Sequence, residues 1–116
     1  MAPTSDDLDL TQAQAFALEP RDLAELLGTV EASLQASTRV LQVTRDAAGL
    51  HRCLHDLKGY LGLVATPDLC GVVREADNAA RSGQLALCHA HVVEIMPRLQ
   101  ALLTAVQTYR AGIIVG

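Results

Sequence analysis

Apolar residues recur every three or four positions along nearly the whole chain, and this spacing constrains the fold more than any other feature. The longest run steps alternately by three and four residues, through Leu85, Cys88, Val92, Ile95, Leu99, Leu102, Val106 and Tyr109. This period is that of an amphipathic helix, whereas a half-buried strand would alternate every two residues, a pattern that we do not find. The spacing therefore predicts an all-α fold.

Helix-start and helix-stop residues divide the chain into segments joined by connections of only a few residues. They comprise first-turn prolines, N-cap residues and a C-terminal glycine, at Pro20, Asp46, Thr66-Pro67 and Gly83. Four long helices are predicted, over 20–45, 47–65, 67–82 and 84–110. Helices of this kind with short connections are typical of an antiparallel up-down four-helix bundle.

Two local features modify this bundle. A short extra N-terminal helix is predicted from about Ser5, with acidic residues near its start, and it is expected to cap one end of the bundle. Pro97 lies inside the last helix and cannot donate a backbone hydrogen bond to Val93. We therefore expect a kink there, or a break near Met96.

The composition limits the class of protein. The 116 residues, half of them apolar, are expected to form one domain over 1–116, with the bundle core at about 20–110. A formal net charge of −4 and only one phenylalanine and two tyrosines argue against a nucleic-acid partner. No apolar run approaches the roughly 20 residues of a membrane span, and the N-terminus lacks the basic region of a secretory signal. We expect a soluble, cytoplasmic monomer whose widely spaced cysteines are free thiols.

The chain's only lysine lies in the stretch His55-Asp56-Leu57-Lys58-Gly59. On a helix, Lys58 lies one turn from His55 on the same face, and Gly59 and Gly62 clear side-chain bulk from that face. His55 falls about 140° from the apolar stripe centred on Leu50, so its imidazole is expected to point away from the core. Two glycines inside a helix cost about 1 kcal/mol each relative to alanine. We infer that something approaches this face closely.

An exposed imidazole beside a cation is suited to accepting a phosphoryl group. A neutral imidazole is a nucleophile at pH 7, and phosphoryl transfer depends mainly on positioning and on stabilising the charge of the phosphoryl oxygens. His55 is the predicted acceptor and Lys58 the predicted phosphate-stabilising cation. The sequence contains no phosphate-cradling loop, so the phosphate is expected to come from another protein. The chain is thus predicted to be a phosphocarrier without a nucleotide site rather than an enzyme.

The segment from His55 to Gly62 resembles the His-x-x-Lys-Gly signature of histidine-containing phosphotransfer (HPt) domains, which act in two-component phosphorelays. The resemblance extends less specifically through 69–73 and 77–84, and covers about 20–108. It implies a four-helix bundle whose histidine relays phosphate to and from an aspartate of a receiver domain, in a response regulator or a hybrid sensor kinase. Tyr60 and Ala65 depart from the family pattern, which usually has a small residue and a glycine there.

The resemblance implies that Gly59 and Gly62 are the small residues of the surface to which the partner binds. We expect the receiver to dock on the helix face that bears His51, His55, Gly59 and Gly62, with apolar contact from an exposed Leu63, and we call these residues the docking face. No cofactor is expected on this chain, and any Mg²⁺ is expected on the partner receiver.

Two alternatives remain open at this point. His51 and His55 form an i, i+4 pair that could chelate a transition metal, but the nearby sequence offers no third ligand, and we predict no metal site. A non-catalytic helical adaptor that binds a signalling partner on the same face is the alternative function. The chain could stand alone or be a domain of a hybrid histidine kinase.

Overall fold

A computed structural model describes residues 5–115 of the protein as five helices. They are α1 (Thr11–Phe16), α2 (Pro20–Val43), α3 (Ala47–Leu61), α4 (Pro67–Arg81) and α5 (Leu85–Val115). Within residues 5–115, extended pairing is limited to one bridge between Leu8 and Ala65, so the prediction of an all-α fold is confirmed. In that same stretch, no helix combines the length and apolarity needed to cross a membrane.

The predicted start and stop residues act at the helix ends. The carboxylate of Asp46 accepts a hydrogen bond from the Gly49 N–H at 2.8 Å, which caps α3. The Thr66 hydroxyl accepts from the Leu69 N–H at 3.5 Å at the start of α4. Gly83 follows α4 with a φ of +75°, a left-handed conformation that favours glycine. The four long helices therefore begin close to the predicted positions.

Three predicted helix ends are wrong by four residues or more. α1 begins at Thr11 and not near Ser5, because the backbone of the preceding residues pairs with the turn after α3. α3 ends at Leu61 instead of 65, and α5 continues to Val115 instead of 110. The break expected near Met96 is also absent, since α5 is continuous through Pro97. Pro97 and Val93 are both exposed, so water can satisfy the carbonyl that has lost its partner.

The four long helices enclose a single core. α2 and α4 each pack against both α3 and α5, which is the order of neighbours in an up-down bundle; the antiparallel direction stays a prediction. Each fully buried leucine contributes about 1.5–3 kcal/mol relative to an exposed one. On α3 these leucines are Leu50, Leu54 and Leu57, all 0% exposed, and they fix which face of the helix points to solvent.

Residues 5–17, which we call the N-terminal segment, lie against the turn between α3 and α4. Three backbone hydrogen bonds of 2.8–3.2 Å connect them, from Asp9 to Val64, from Ala13 to Leu63 and from Thr66 to Asp7. Ala13 and Ala17 of the segment are buried in the core. The segment is therefore an ordered part of the bundle.

An arginine of α5 fastens the N-terminal segment further. The Arg98 guanidinium donates to both oxygens of Asp7, at 2.6 and 3.0 Å, and to Asp68 of α4 at 2.8 Å. The hydrogen bonds from Arg98 lower the pKa of Asp7 below its usual value, although partial burial acts in the opposite direction. Arg98 thus connects the N-terminal segment to two helices through charged hydrogen bonds.

Candidate functional site

His55 lies on the solvent side of α3 and is exposed, in agreement with its angle from the leucine stripe. Its ring centroid is 5.7 Å from that of His51, one turn earlier, and the two ring planes are inclined by 45°. Lys58 lies one turn later, with its side chain 28% exposed. The structure therefore brings the predicted acceptor and the predicted cation to the same side of α3.

A buried carboxylate from α4 connects the residues on either side of His55. One oxygen of Asp77 lies 2.6 Å from His51 Nδ1, and the other accepts from Lys58 Nζ at 2.7 Å. Asp77 is 0% exposed, whereas the side chain of His51 is 39% exposed. Burial acts to raise the pKa of Asp77, but the hydrogen bonds and charges of Lys58 and His51 outweigh it, and the pKa is lowered. Asp77 is therefore ionised at neutral pH.

This carboxylate determines how its two partners are arranged. An ionised carboxylate can only accept hydrogen bonds, so His51 carries a hydrogen on Nδ1 and directs it to Asp77. The Lys58 ammonium has three N–H donors, of which the bond to Asp77 uses one. Asp77 thus holds Lys58 in place and leaves donors of its ammonium for a further acceptor near His55.

Sequence reasoning assigned no role to Asp77. The residue lies at the edge of the buried stripe of α4, formed by Val73, Ala76 and Ala80. A carboxylate at such a position needs a charged or hydrogen-bonding partner, and the chain has a single lysine. That combination is the signal that could have paired Asp77 with Lys58. No three potential metal ligands come together within residues 5–115.

The packing of the chain itself does not require the two glycines of the docking face. A Cβ atom added to Gly59 or to Gly62 would meet nothing within 4 Å. Gly62 has helical backbone angles, φ −61° and ψ −16°, which any residue can adopt. By contrast, a Cβ on Gly49 would lie 2.7 Å from the Thr44 side chain. The two docking-face glycines therefore leave open space in front of α3.

Two open depressions border the docking face. The first, of about 460 Å³, lies between α2 and α3 and is lined by His55, Gly59 and small residues of α2 such as Ala36. The second, of about 540 Å³, is lined by Lys58, Gly59, Gly62 and residues of the N-terminal segment, and we call it the N-terminal cleft. Gly59 borders both depressions, so the docking face and the N-terminal cleft form one continuous surface.

Two further residues lie next to this surface, and one of them, Leu63, differs from its prediction. Leu63 is half-buried against the core instead of exposed, because the turn after α3 is held by the N-terminal segment; its side chain lines the N-terminal cleft. Tyr60 is half-buried, and its hydroxyl lies 2.8 Å from Ser37 Oγ of α2. Burial raises the pKa of Tyr60 to about 12. Tyr60 therefore packs toward α2.

A family model described as the Hpt domain matches residues 20–109. The match includes α2, α3, α4 and most of α5, and therefore the whole docking face together with Asp77. The N-terminal segment lies before the matched residues. No curated protein and no solved structure matches the sequence significantly.

Proposed function

The chain belongs to the Hpt domain family, and from this premise we propose that His55 is its phosphoaccepting histidine. Hpt domains are phosphocarrier modules of two-component signalling that interact with receiver domains. The observation that supports the choice of His55 is an exposed imidazole beside two glycines that the fold does not need. The open space above these glycines is what a partner requires to bring its aspartate close to the imidazole.

In the proposed reaction, an unprotonated ring nitrogen of His55 attacks the phosphorus of an aspartyl phosphate on a receiver domain. A P–N bond forms while the P–O bond to the aspartate breaks, and its electron pair leaves with the aspartate as a carboxylate. The reverse step passes the phosphoryl group to another receiver aspartate. Any Mg²⁺ taking part is proposed to be bound by the receiver.

Lys58 is proposed to stabilise the phosphoryl group through the N–H donors that Asp77 does not use. The 2.7 Å bond to Asp77 fixes the ammonium one helical turn from His55. A fixed cation stabilises the charge on the phosphoryl oxygens more effectively once the docked partner excludes water. Asp77 is in this proposal a positioning residue that acts through Lys58.

The docking face is proposed to bind the receiver transiently, in the cytoplasm. A surface limited to one side of α3 and its two depressions suits an interface near or below about 1,200 Å², the size of weak signalling encounters. Such an encounter lets one carrier exchange partners quickly.

The test is transfer of phosphate to the chain from a panel of purified receiver domains, each phosphorylated with acetyl phosphate. We expect acid-labile, alkali-stable phosphate on the parent chain and none on His55→Gln, with helical circular dichroism unchanged. His89→Gln is the matched control, because His89 hydrogen-bonds to the Arg45 carbonyl away from the docking face. Its labelling should equal that of the parent.

Two results would contradict this assignment. Labelling that survives His55→Gln and disappears in His51→Gln would move the acceptor to His51. Receiver binding without any labelling would favour the non-catalytic helical adaptor, which uses the same face.

A further inference from the structure

The N-terminal segment lies outside the residues that the family model matches, yet it forms one wall of the N-terminal cleft. Asp9, Thr11 and Gln12 of the segment line this cleft together with Lys58, Gly59 and Gly62. The segment cannot move away freely, because Arg98 and three backbone hydrogen bonds hold it against the bundle. A receiver that covers Gly59 and Gly62 would therefore meet a preformed wall beside them.

Asp9 places a negative charge at this wall. Its carboxylate accepts a hydrogen bond from the Thr11 N–H at 3.0 Å, and the hydrogen bonds from Thr11 lower its pKa, so it is ionised at neutral pH. Within residues 5–115, Asp9 takes part in no ion pair. The neighbouring charges are already matched, since Asp7 pairs with Arg98 and Lys58 pairs with Asp77. Asp9 thus places a charge in the cleft that no cationic side chain of residues 5–115 pairs with.

Part of the lining of the N-terminal cleft is apolar and is formed by Leu63, Ala65, Pro67 and Cys70. Apolar side chains in the same cleft as a carboxylate suit a long side chain with an aliphatic stem and a cationic end. Arginine and lysine have this shape, and arginine can also form a bidentate pair with a carboxylate. The ion pair with Asp77 reduces the repulsion between the Lys58 ammonium and a second cation that enters the cleft.

We propose that the N-terminal segment selects among receiver domains, by accepting an arginine or lysine side chain of the receiver into the N-terminal cleft, where the cation pairs with Asp9. This inference rests on the proposed function, since the same receiver must present its aspartate to His55. Because the segment is held in place before docking, little conformational freedom is lost when the pair forms. Receivers without a basic residue at the matching position would exchange phosphate more slowly.

The experiment measures initial rates of His55 labelling from the receiver in the panel that labels the parent fastest. Asp9→Asn removes the charge but keeps an oxygen that can accept from the Thr11 N–H, and Asp9→Lys reverses the charge. Asp6→Lys is the matched control, since Asp6 is an exposed acid of the same segment that does not line the cleft. We expect a loss of about threefold for Asp9→Asn and about tenfold for Asp9→Lys, both smaller in high salt, with Asp6→Lys within about twofold of the parent.

A charge swap identifies the partner side chain. Each arginine and lysine around the receiver's aspartate is replaced in turn by glutamate. We expect one of these receiver variants to transfer phosphate slowly to the parent chain. The same variant should transfer phosphate at least threefold faster to the Asp9→Lys chain than to the parent chain. The inference is overturned if the Asp9 variants match the parent, if Asp6→Lys is slowed as much as Asp9→Lys, or if no swap restores transfer. Should Asp9→Lys fail to fold by circular dichroism, Asp9→Asn decides.

The two proposals fail in different ways. If no receiver labels the parent chain, the proposed function fails and the selection by Asp9 fails with it. If the parent is labelled and the Asp9 variants are labelled equally fast, only the selection is wrong.

Discussion

Substitutions at Gly59 and Gly71 can distinguish an effect on helix stability from an effect on binding of the receiver. Both lie inside helices, α3 and α4, and a Cβ on either would meet nothing within 4 Å. Gly59 borders both depressions of the docking face, whereas Gly71 lines neither. Glycine in a helix interior is less favourable than alanine by about 1 kcal/mol, so both positions reduce the stability of the fold.

We expect Gly59→Ala and Gly71→Ala each to raise the free energy of unfolding by about 0.5–1 kcal/mol, measured by urea titration. Larger side chains should separate the two positions. Gly59→Gln should slow phosphate transfer at least tenfold, because displacement of the partner by about 1 Å can cost around a hundredfold, while Gly71→Gln should transfer like the parent. Parent-like transfer by Gly59→Gln would mean that the partner does not approach α3 here.

The sequence alone was sufficient for residues that share one helix. His55, Lys58 and Gly59 lie within five positions, so their common face follows from helical geometry. Asp77 was not predictable in the same way, because it lies 19 residues from Lys58 and 26 from His51. Its contacts depend on how α4 is rotated against α3, and local periodicity does not specify this rotation.

Among the elements, the N-terminal segment is the part that sequence reasoning described least well. The long helices were predictable because each has its own apolar stripe and its own start residue, such as Asp46 or Pro67. In the N-terminal segment, the acidic residues near Ser5 predict the start of a helix, whereas Asp7 pairs with Arg98, 91 residues away. Pairing with distant residues overrides local helix preference at this end of the chain.

Replacing Arg98 with alanine should loosen the N-terminal segment. Two charged hydrogen bonds to Asp7 are lost, and hydrogen bonds of this kind contribute about 1.5–3 kcal/mol each. We expect the backbone amides of Asp9 and Ala13, which bond to the turn after α3, to exchange with deuterium at least tenfold faster.

Arg110→Ala is the control for this measurement, because Arg110 is also on α5 but binds the Ala24 carbonyl of α2. It should leave exchange at Asp9 and Ala13 unchanged. Equal exchange in Arg98→Ala and the parent would show that the backbone bonds alone hold the N-terminal segment.

For the molecule as a whole, shifted side-chain pKa values limit stability at both ends of the pH scale. Asp7 and Asp77 have lowered pKa values, so their stabilisation is present above about pH 4, the unfolded value, and is lost as the pH falls through the folded value. Burial raises the pKa of Cys53 to about 11 and that of Tyr60 to about 12. Stability that depends on their protonated forms is lost as the pH rises from about 9 through those values.

We therefore expect the free energy of unfolding to be highest between about pH 5 and pH 8. Asp77→Asn should lower it by about 1–3 kcal/mol at pH 7, because Lys58 then lacks its buried counter-charge. The difference from the parent should shrink as the pH falls below about 4, because the unfolded chain then binds a proton at Asp77, and it should disappear below the lowered pKa of Asp77 in the folded chain. Urea titrations at pH 7, 5 and 3 measure this, with Asp6→Asn as the control on an exposed acid. A constant difference at all three pH values would contradict the assignment of the charge effect to Asp77.

The hydrogen bonds between Arg98 and Asp7 also have a consequence for the synthesis of the protein. The ribosome adds Asp7 to the chain 91 residues before it adds Arg98, which lies in α5. The N-terminal segment therefore emerges early and is fastened late, after His55 and both docking-face glycines have left the ribosome. In a nascent chain, His55 is therefore exposed before the N-terminal segment is held in place as a wall of the N-terminal cleft. The proposed selection among receivers would then begin only when α5 has folded onto the bundle.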